Sequence, residues 1–108
     1  MIGGYLSGRP RAVLRALARS GNRWARRTAL LASSRLARAG ETEDAYALAS
    51  LLADDPEDVV QKPIGGLLRE VGRIEPARLA AFLTLHVARL RPSALRWLSE
   101  PPVREEPP

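Results

Sequence analysis

The chain has 108 residues, 45% of them apolar and 27% charged, with no cysteine and a single histidine, His86. That suffices for one core and excludes a disulfide framework, a thiolate zinc site and a His-rich metal cluster, so no metal or other cofactor is expected. Seventeen basic residues, sixteen of them arginine, stand against twelve acidic ones for a net charge of +5. No apolar run reaches the roughly 20 residues of a membrane span. The opening MIGGYLSGRPR is too short and too early in charge for a secretory signal. A soluble, cytoplasmic chain with no membrane partner is expected.

Helical punctuation recurs along the sequence. Pro10 fits the first turn of a helix running to about Arg19, with Gly21 as its C′ residue. Asn22 caps a second helix from Arg23 to about Ala39, stopped by Gly40. Thr42 is a cap for a third helix ending near Ala53, and Glu43 and Asp44 complement its positive N-terminus. Asp55-Pro56 opens a fourth through Val71 to Gly72, and Glu75-Pro76 a fifth ending near Leu90. Pro92 opens a short sixth, Ser93 to Ser99. The tail PPVREEPP lacks apolar payload and is expected to be disordered, giving a unit over residues 1–100 and a tail over 101–108.

Apolar spacing agrees with this reading. Val13, Leu14 and Leu17 share a face, as do Leu79, Phe82, Leu83 and Leu90. No stretch alternates as a strand does. Short loops and helix pairs that begin about every 32–34 residues predict an all-α fold of about three stacked antiparallel hairpins, a HEAT-like α-solenoid fragment. A non-repetitive helical globule has the same periodicity.

Charge is segregated. Residues 1–40 hold nine arginines and no acid, whereas residues 41–58 hold seven acids and no base. A one-signed half suits a polyanion; it also suits a solvated surface whose arginine stems cover apolar area. Arg11, Arg15 and Arg19 form a stripe at i, i+4, i+8. Arg23, Arg26 and Arg27 crowd the start of the second helix, where three cations oppose the helix dipole. Trp24 beside them reads either as a core anchor or as a group flanking a nucleotide. Glu70 with Glu75, and Asp54 with Asp55, read as capping or turn carboxylates, and His86 as an ordinary histidine on the fifth helix.

Three ordered pieces carry a resemblance. They are N-x-W-x-R-R (Asn22 to Arg27), the run through Gln61, Lys62, Ile64, Gly65, Leu68, Arg69, Glu70 and Gly72, and the segment Arg91, Ser93, Leu95, Arg96, Trp97. With IGGYL at the start, residues 2–100 resemble the C-terminal part of the DNA alkylation repair family, the AlkD-like HEAT-repeat DNA glycosylases. The resemblance implies a concave basic surface gripping duplex DNA and excision of cationic alkylated purines such as 3-methyladenine. In that family an aspartate stabilises the sugar cation, two tryptophans line the cleft, and an arginine holds phosphate.

Carried over residue by residue, the cleft arginine falls on Arg27, while Lys62 and Arg69 match the Q-K…R-E segment. Gly66 stands where the family has tryptophan. The family's W-W-D-x-V-D segment, which brings the aspartate, is not among these residues; the resemblance puts it ahead of Met1. No acid precedes Glu41. No catalytic set is complete. The expectation is a binder of the duplex DNA backbone through Arg11, Arg15, Arg23, Arg26, Arg27, Lys62 and Arg69, with Trp24 as a cleft aromatic and no glycosylase activity in this chain. The alternative is a HEAT-like protein-interaction module using the acidic 41–58 face or the first hairpin. An uncovered first hairpin also predicts self-association. Pro63, inside the fourth helix, is expected to kink it at a cost of about 3 kcal/mol in helix propensity, and the glycines after it to weaken that turn.

Overall fold

A computed structural model describes residues 11–99. The segments 1–10 and 100–108, which include Pro10, the IGGYL stretch and the whole 101–108 tail, lie outside the described residues. Six α-helices and no strand occur among the described residues. They are α1 (11–18), α2 (Arg23–Arg38), α3 (Glu43–Leu52), α4 (Asp58–Ile74), α5 (Pro76–His86) and α6 (Pro92–Ser99). The all-α, HEAT-like packing expected from periodicity is what the chain adopts.

Local signals fix both ends of α2. Asn22 Oδ1 accepts hydrogen bonds from the backbone N–H groups of Trp24 at 2.8 Å and Ala25 at 3.3 Å, which fixes the start of α2. Its end is a left-handed turn at Gly40, where φ is +97° and the Glu41 N–H reaches back to the Leu36 carbonyl at 2.9 Å.

Elsewhere the sequence signals were displaced. Gly21 does not adopt a left-handed conformation; Gly40 is the one positive-φ residue among those described. Thr42 precedes α3 but makes no side-chain cap; its hydroxyl donates instead to Glu75 Oε1 at 2.9 Å. Asp55-Pro56 does not open α4. Asp55 accepts from the Glu57 N–H at 3.0 Å in an Asx turn, and the helix begins at Asp58. It then runs unbroken through Pro63 to Ile74, three residues beyond Val71. The fifth helix stops at His86, and Val87–Arg89 tightens into a 3₁₀ turn that delivers buried Leu90 to the core.

Helix α4 is the hub. It packs against α2, α3, α5 and α6, and Val60, Ile64, Leu67, Leu68 and Val71 are all buried. Burying a side chain of this kind stabilises by roughly 1.5–3 kcal/mol. Leu30, Leu48 and Ala49 meet them from α2 and α3, with Phe82 and Ala94 from α5 and α6. Both α5 and α6 lean on α4 more than on one another. Val13 turned outward, whereas Leu14 and Ala18 carry α1 into the core.

Two polar devices hold this arrangement. Gln61 is fully buried, and its Nε2 donates to the carbonyls of Ala53 and Asp55, both at 2.9 Å. Its Oε1 accepts from the Arg91 N–H at 3.1 Å, so one side chain ties the α3–α4 loop to the start of α6. On the other flank, Arg78 donates to Glu43 at 3.0 Å and lies over the Tyr46 ring at 4.4 Å. The Arg78 hydrogen bond and charge hold the Glu43 carboxyl below its usual pKa. Burial, with help from Glu75, raises that of the Tyr46 phenol.

Candidate nucleic-acid interface

Two helical stripes face each other across a groove of about 590 Å³. On α2 the stripe is Trp24, Arg27, Leu31, Ser34 and Arg38, spaced 3, 4, 3, 4 as one helix face requires. On α4 it is Val59, Lys62, Pro63, Gly66, Arg69 and Glu70, the part of the hub not covered by other helices. Trp97 of α6 closes one side.

Glycine positions that last residue. A Cβ on Gly65 would meet the Ala94 carbonyl oxygen, Trp97 Cβ at 2.7 Å and Leu98 N at 3.0 Å, so only glycine lets α6 come this close to α4. The Trp97 carbonyl then accepts a hydrogen bond from Arg69 Nη1. A Cβ on Gly66 meets nothing within 4 Å, and the groove floor there is open. Pro63 has no N–H to give the Val59 carbonyl, and both residues lie on the groove wall.

The predicted cations divide into two groups. Arg11 donates to Asp44 at 2.8 Å and lies 3.9 Å from Glu41; Arg15 is 3.6 Å from Asp44. These two bind α1 to α3 and do not line the groove. Arg26, with its side chain only 14% exposed, pairs with buried Asp55 at 2.8 Å and donates to the Ser20 carbonyl at 2.9 Å. Arg23 stands 3.6 Å from Glu57 with its guanidinium 5.6 Å over the Trp24 ring. The segregated charge of the sequence is therefore largely internal complementarity. All seven acids of residues 41–58 have a partner, the remaining three being Glu43 with Arg78, Asp54 with Arg89 and Asp58 with the Ser93 hydroxyl.

Arg27, Lys62 and Arg69 form the second group and all line the groove. Arg27 and Lys62 have no acidic partner among the described residues. Sequence reasoning missed Arg38 and gave Glu70 only a capping role; both line the groove and approach to 3.7 Å, with Glu70 only 18% exposed. The 3-4-3-4 spacing from Trp24 was the signal that could have found Arg38. Trp24 is not a core anchor: it is 53% exposed, and Trp97 is 44% exposed. His86 packs against Phe82 with the rings tilted at 40° and their centroids 4.4 Å apart, and its Nδ1 is 3.1 Å from Arg89. Among the described residues no cluster of three His, Asp or Glu could hold a metal, and no helix is long and apolar enough to cross a membrane.

The described residues thus form an all-helical, HEAT-like packing with a groove walled by side chains of α2, α4 and α6. The family model described as DNA alkylation repair enzyme matches residues 1–97, and the chain belongs to that family. Among curated proteins and solved structures, none matches the chain.

Proposed function

We propose that this chain binds the phosphate backbone of DNA through the α2–α4 groove, with Arg27 and Lys62 as the principal phosphate contacts and Arg69 and Arg38 beside them. The observation that carries this reading is the contrast in pairing. Six of the seven acids of residues 41–58 are taken up by arginines outside the groove and the seventh, Asp58, accepts from Ser93, while Arg27 and Lys62 face the groove with no carboxylate partner among the described residues. An unpaired guanidinium and ammonium converging from two helices give a field that phosphates complement. Family membership supplies DNA as the polyanion.

Binding rather than base excision is the proposed role of these residues. Glu70, the one carboxylate lining the groove among the described residues, is already neighbour to Arg38. A carboxylate neutralised in this way is poorly placed to stabilise a sugar cation. The test is fluorescence anisotropy with a labelled duplex at several salt concentrations. The affinity should be independent of sequence, and log K should fall with log salt by about 0.9 per phosphate neutralised. Affinity that does not change with salt would contradict the reading.

One observation favours a second reading, association through the first helix pair. Leu14, Leu31, Ala32 and Leu36 line an apolar depression of about 510 Å³ between α1 and α2. Sedimentation at increasing concentration tests it: a second copy seated there gives a dimer, and a monomer throughout excludes it.

A further inference from the structure

We infer that the groove takes an unpaired DNA strand in preference to an intact duplex, holding a phosphate on Arg27 and Lys62 while a base stacks on the exposed indole of Trp24. This rests on the nucleic-acid reading above and narrows it.

Four observations converge. First, the chain has two tryptophans, and both line the same groove as the unpaired cations. Each leaves about half its surface open, an exposure that the core does not explain. Second, Trp24 is one helical turn before Arg27 on the α2 stripe, so a π-face and a cation are presented side by side. Third, the Trp24 backbone N–H donates to the Asn22 cap, which fixes where α2 presents this residue, and Arg23, itself near Glu57, lies over one side of its ring. Fourth, the open floor at Gly66 leaves space between the walls, and about 590 Å³ lies within the range of small-ligand sites.

The chemistry favours a strand whose bases are free. In a duplex the base faces are already stacked on their neighbours, and a protein meets only phosphates and edges. The cations would be used and the indoles left idle. An unpaired strand offers both a phosphate and a π-face at each residue, which is the pattern that stacking platforms beside a basic groove recognise. No bond is made or broken, and no sequence preference is implied, because every base has a π-face.

The experiment compares a fluorescein-labelled 12-nucleotide oligo-dT with a 12-base-pair duplex by anisotropy at matched salt, while intrinsic tryptophan fluorescence is followed. Both tryptophans lie in the groove, so that emission reports on it directly. The expected result is tighter binding of oligo-dT with quenched emission. Trp24→Ala should weaken the strand at least about five-fold and leave the duplex nearly unchanged. Gly66→Leu, whose Cβ meets nothing, should fill the floor and also weaken the strand selectively. Thermal melts of both variants verify folding.

Equal or tighter duplex binding with unchanged emission would overturn the inference while leaving the phosphate-binding reading in place. Strand binding that Trp24→Ala and Gly66→Leu leave intact would do the same. Failure of both ligands to bind at low salt would overturn the two together.

Discussion

Gly65 and Gly66 are neighbours in α4, yet alanine at each is expected to change stability in opposite directions. In a helix interior, Gly→Ala gains about 0.8–1 kcal/mol from propensity alone. At Gly66 nothing lies within 4 Å of the added Cβ, so that gain should appear in full. At Gly65 the new methyl would meet the Ala94 carbonyl, Leu98 N at 3.0 Å and Trp97 Cβ at 2.7 Å. These are backbone atoms and the root of a side chain, which no rotamer change can move, so α6 must shift off α4. Overpacking of this kind costs about 1–3 kcal/mol, and the upper end applies where backbone is struck. The net is a loss of about 1–2 kcal/mol. One kcal/mol corresponds to about 4–8 °C in Tm for a domain of this size. Thermal unfolding followed by circular dichroism should thus show Gly66→Ala melting about 4–8 °C higher than the parent and Gly65→Ala melting lower by at least as much. A Gly65→Ala variant as stable as Gly66→Ala would refute the close α4–α6 approach, and with it the placement of Trp97 on the groove.

The other expectations rest on different parts of the structure. Gln61→Leu keeps the volume but strands two buried carbonyls and one N–H, and should cost about 2–4 kcal/mol in urea unfolding; a change under 1 kcal/mol would count against the tie. The Tyr46 hydroxyl is buried with no hydrogen-bond partner among the described residues, so Tyr46→Phe should gain about 1 kcal/mol. Because burial raises the Tyr46 pKa, its contribution is intact below about pH 10 and is lost as pH rises through the folded-state value. Tyr46→Phe should flatten that alkaline loss, and an unchanged alkaline limb would show that the phenol is not its source. Finally, the purified 108-residue chain should release no 3-methyladenine or 7-methylguanine from alkylated duplex above background. Release that Glu70→Gln abolishes would make Glu70 a catalytic carboxylate and disprove the binding-only role.

Helix existence was legible because each signal is local. The Asn22 cap, the Gly40 stop and Pro76 at a first helical position all act within one turn. Asp55 and Thr42 misled for the opposite reason. The Thr42 hydroxyl went to distant Glu75, and Asp55 divides its carboxylate between a turn at Glu57 and distant Arg26 instead of opening the helix. The resemblance motifs were visible as residues while their labour was not. Arg26, Gln61, Arg91 and Ser93 hold helices to one another, whereas their motif neighbours Trp24, Arg27, Lys62, Arg69, Glu70 and Trp97 line the groove. A one-residue step along a helix rotates a side chain by about 100°, which is enough to separate scaffold from surface. The charge asymmetry misled in the same way. It suggested a bare basic face, whereas the α1 arginines answer Asp44 of α3 and Glu41 just before it, which only folding brings near. Glu70 and Arg38 meet across two helices, a pairing that no spacing along the chain encodes.

The central claim is that groove cations, and not the arginines outside it, hold the DNA backbone. The most direct measurement is the salt dependence of DNA affinity for two double variants, Arg27→Ala with Lys62→Ala and Arg11→Ala with Arg15→Ala. Both remove two positive charges, so net charge cannot distinguish them. The groove pair should weaken binding strongly at low salt and reduce the slope of log K against log salt by about two units. The α1 pair should leave the slope unchanged, because those arginines already answer Asp44 and Glu41. Equal loss of slope in both variants, or loss in the α1 pair alone, would contradict the account.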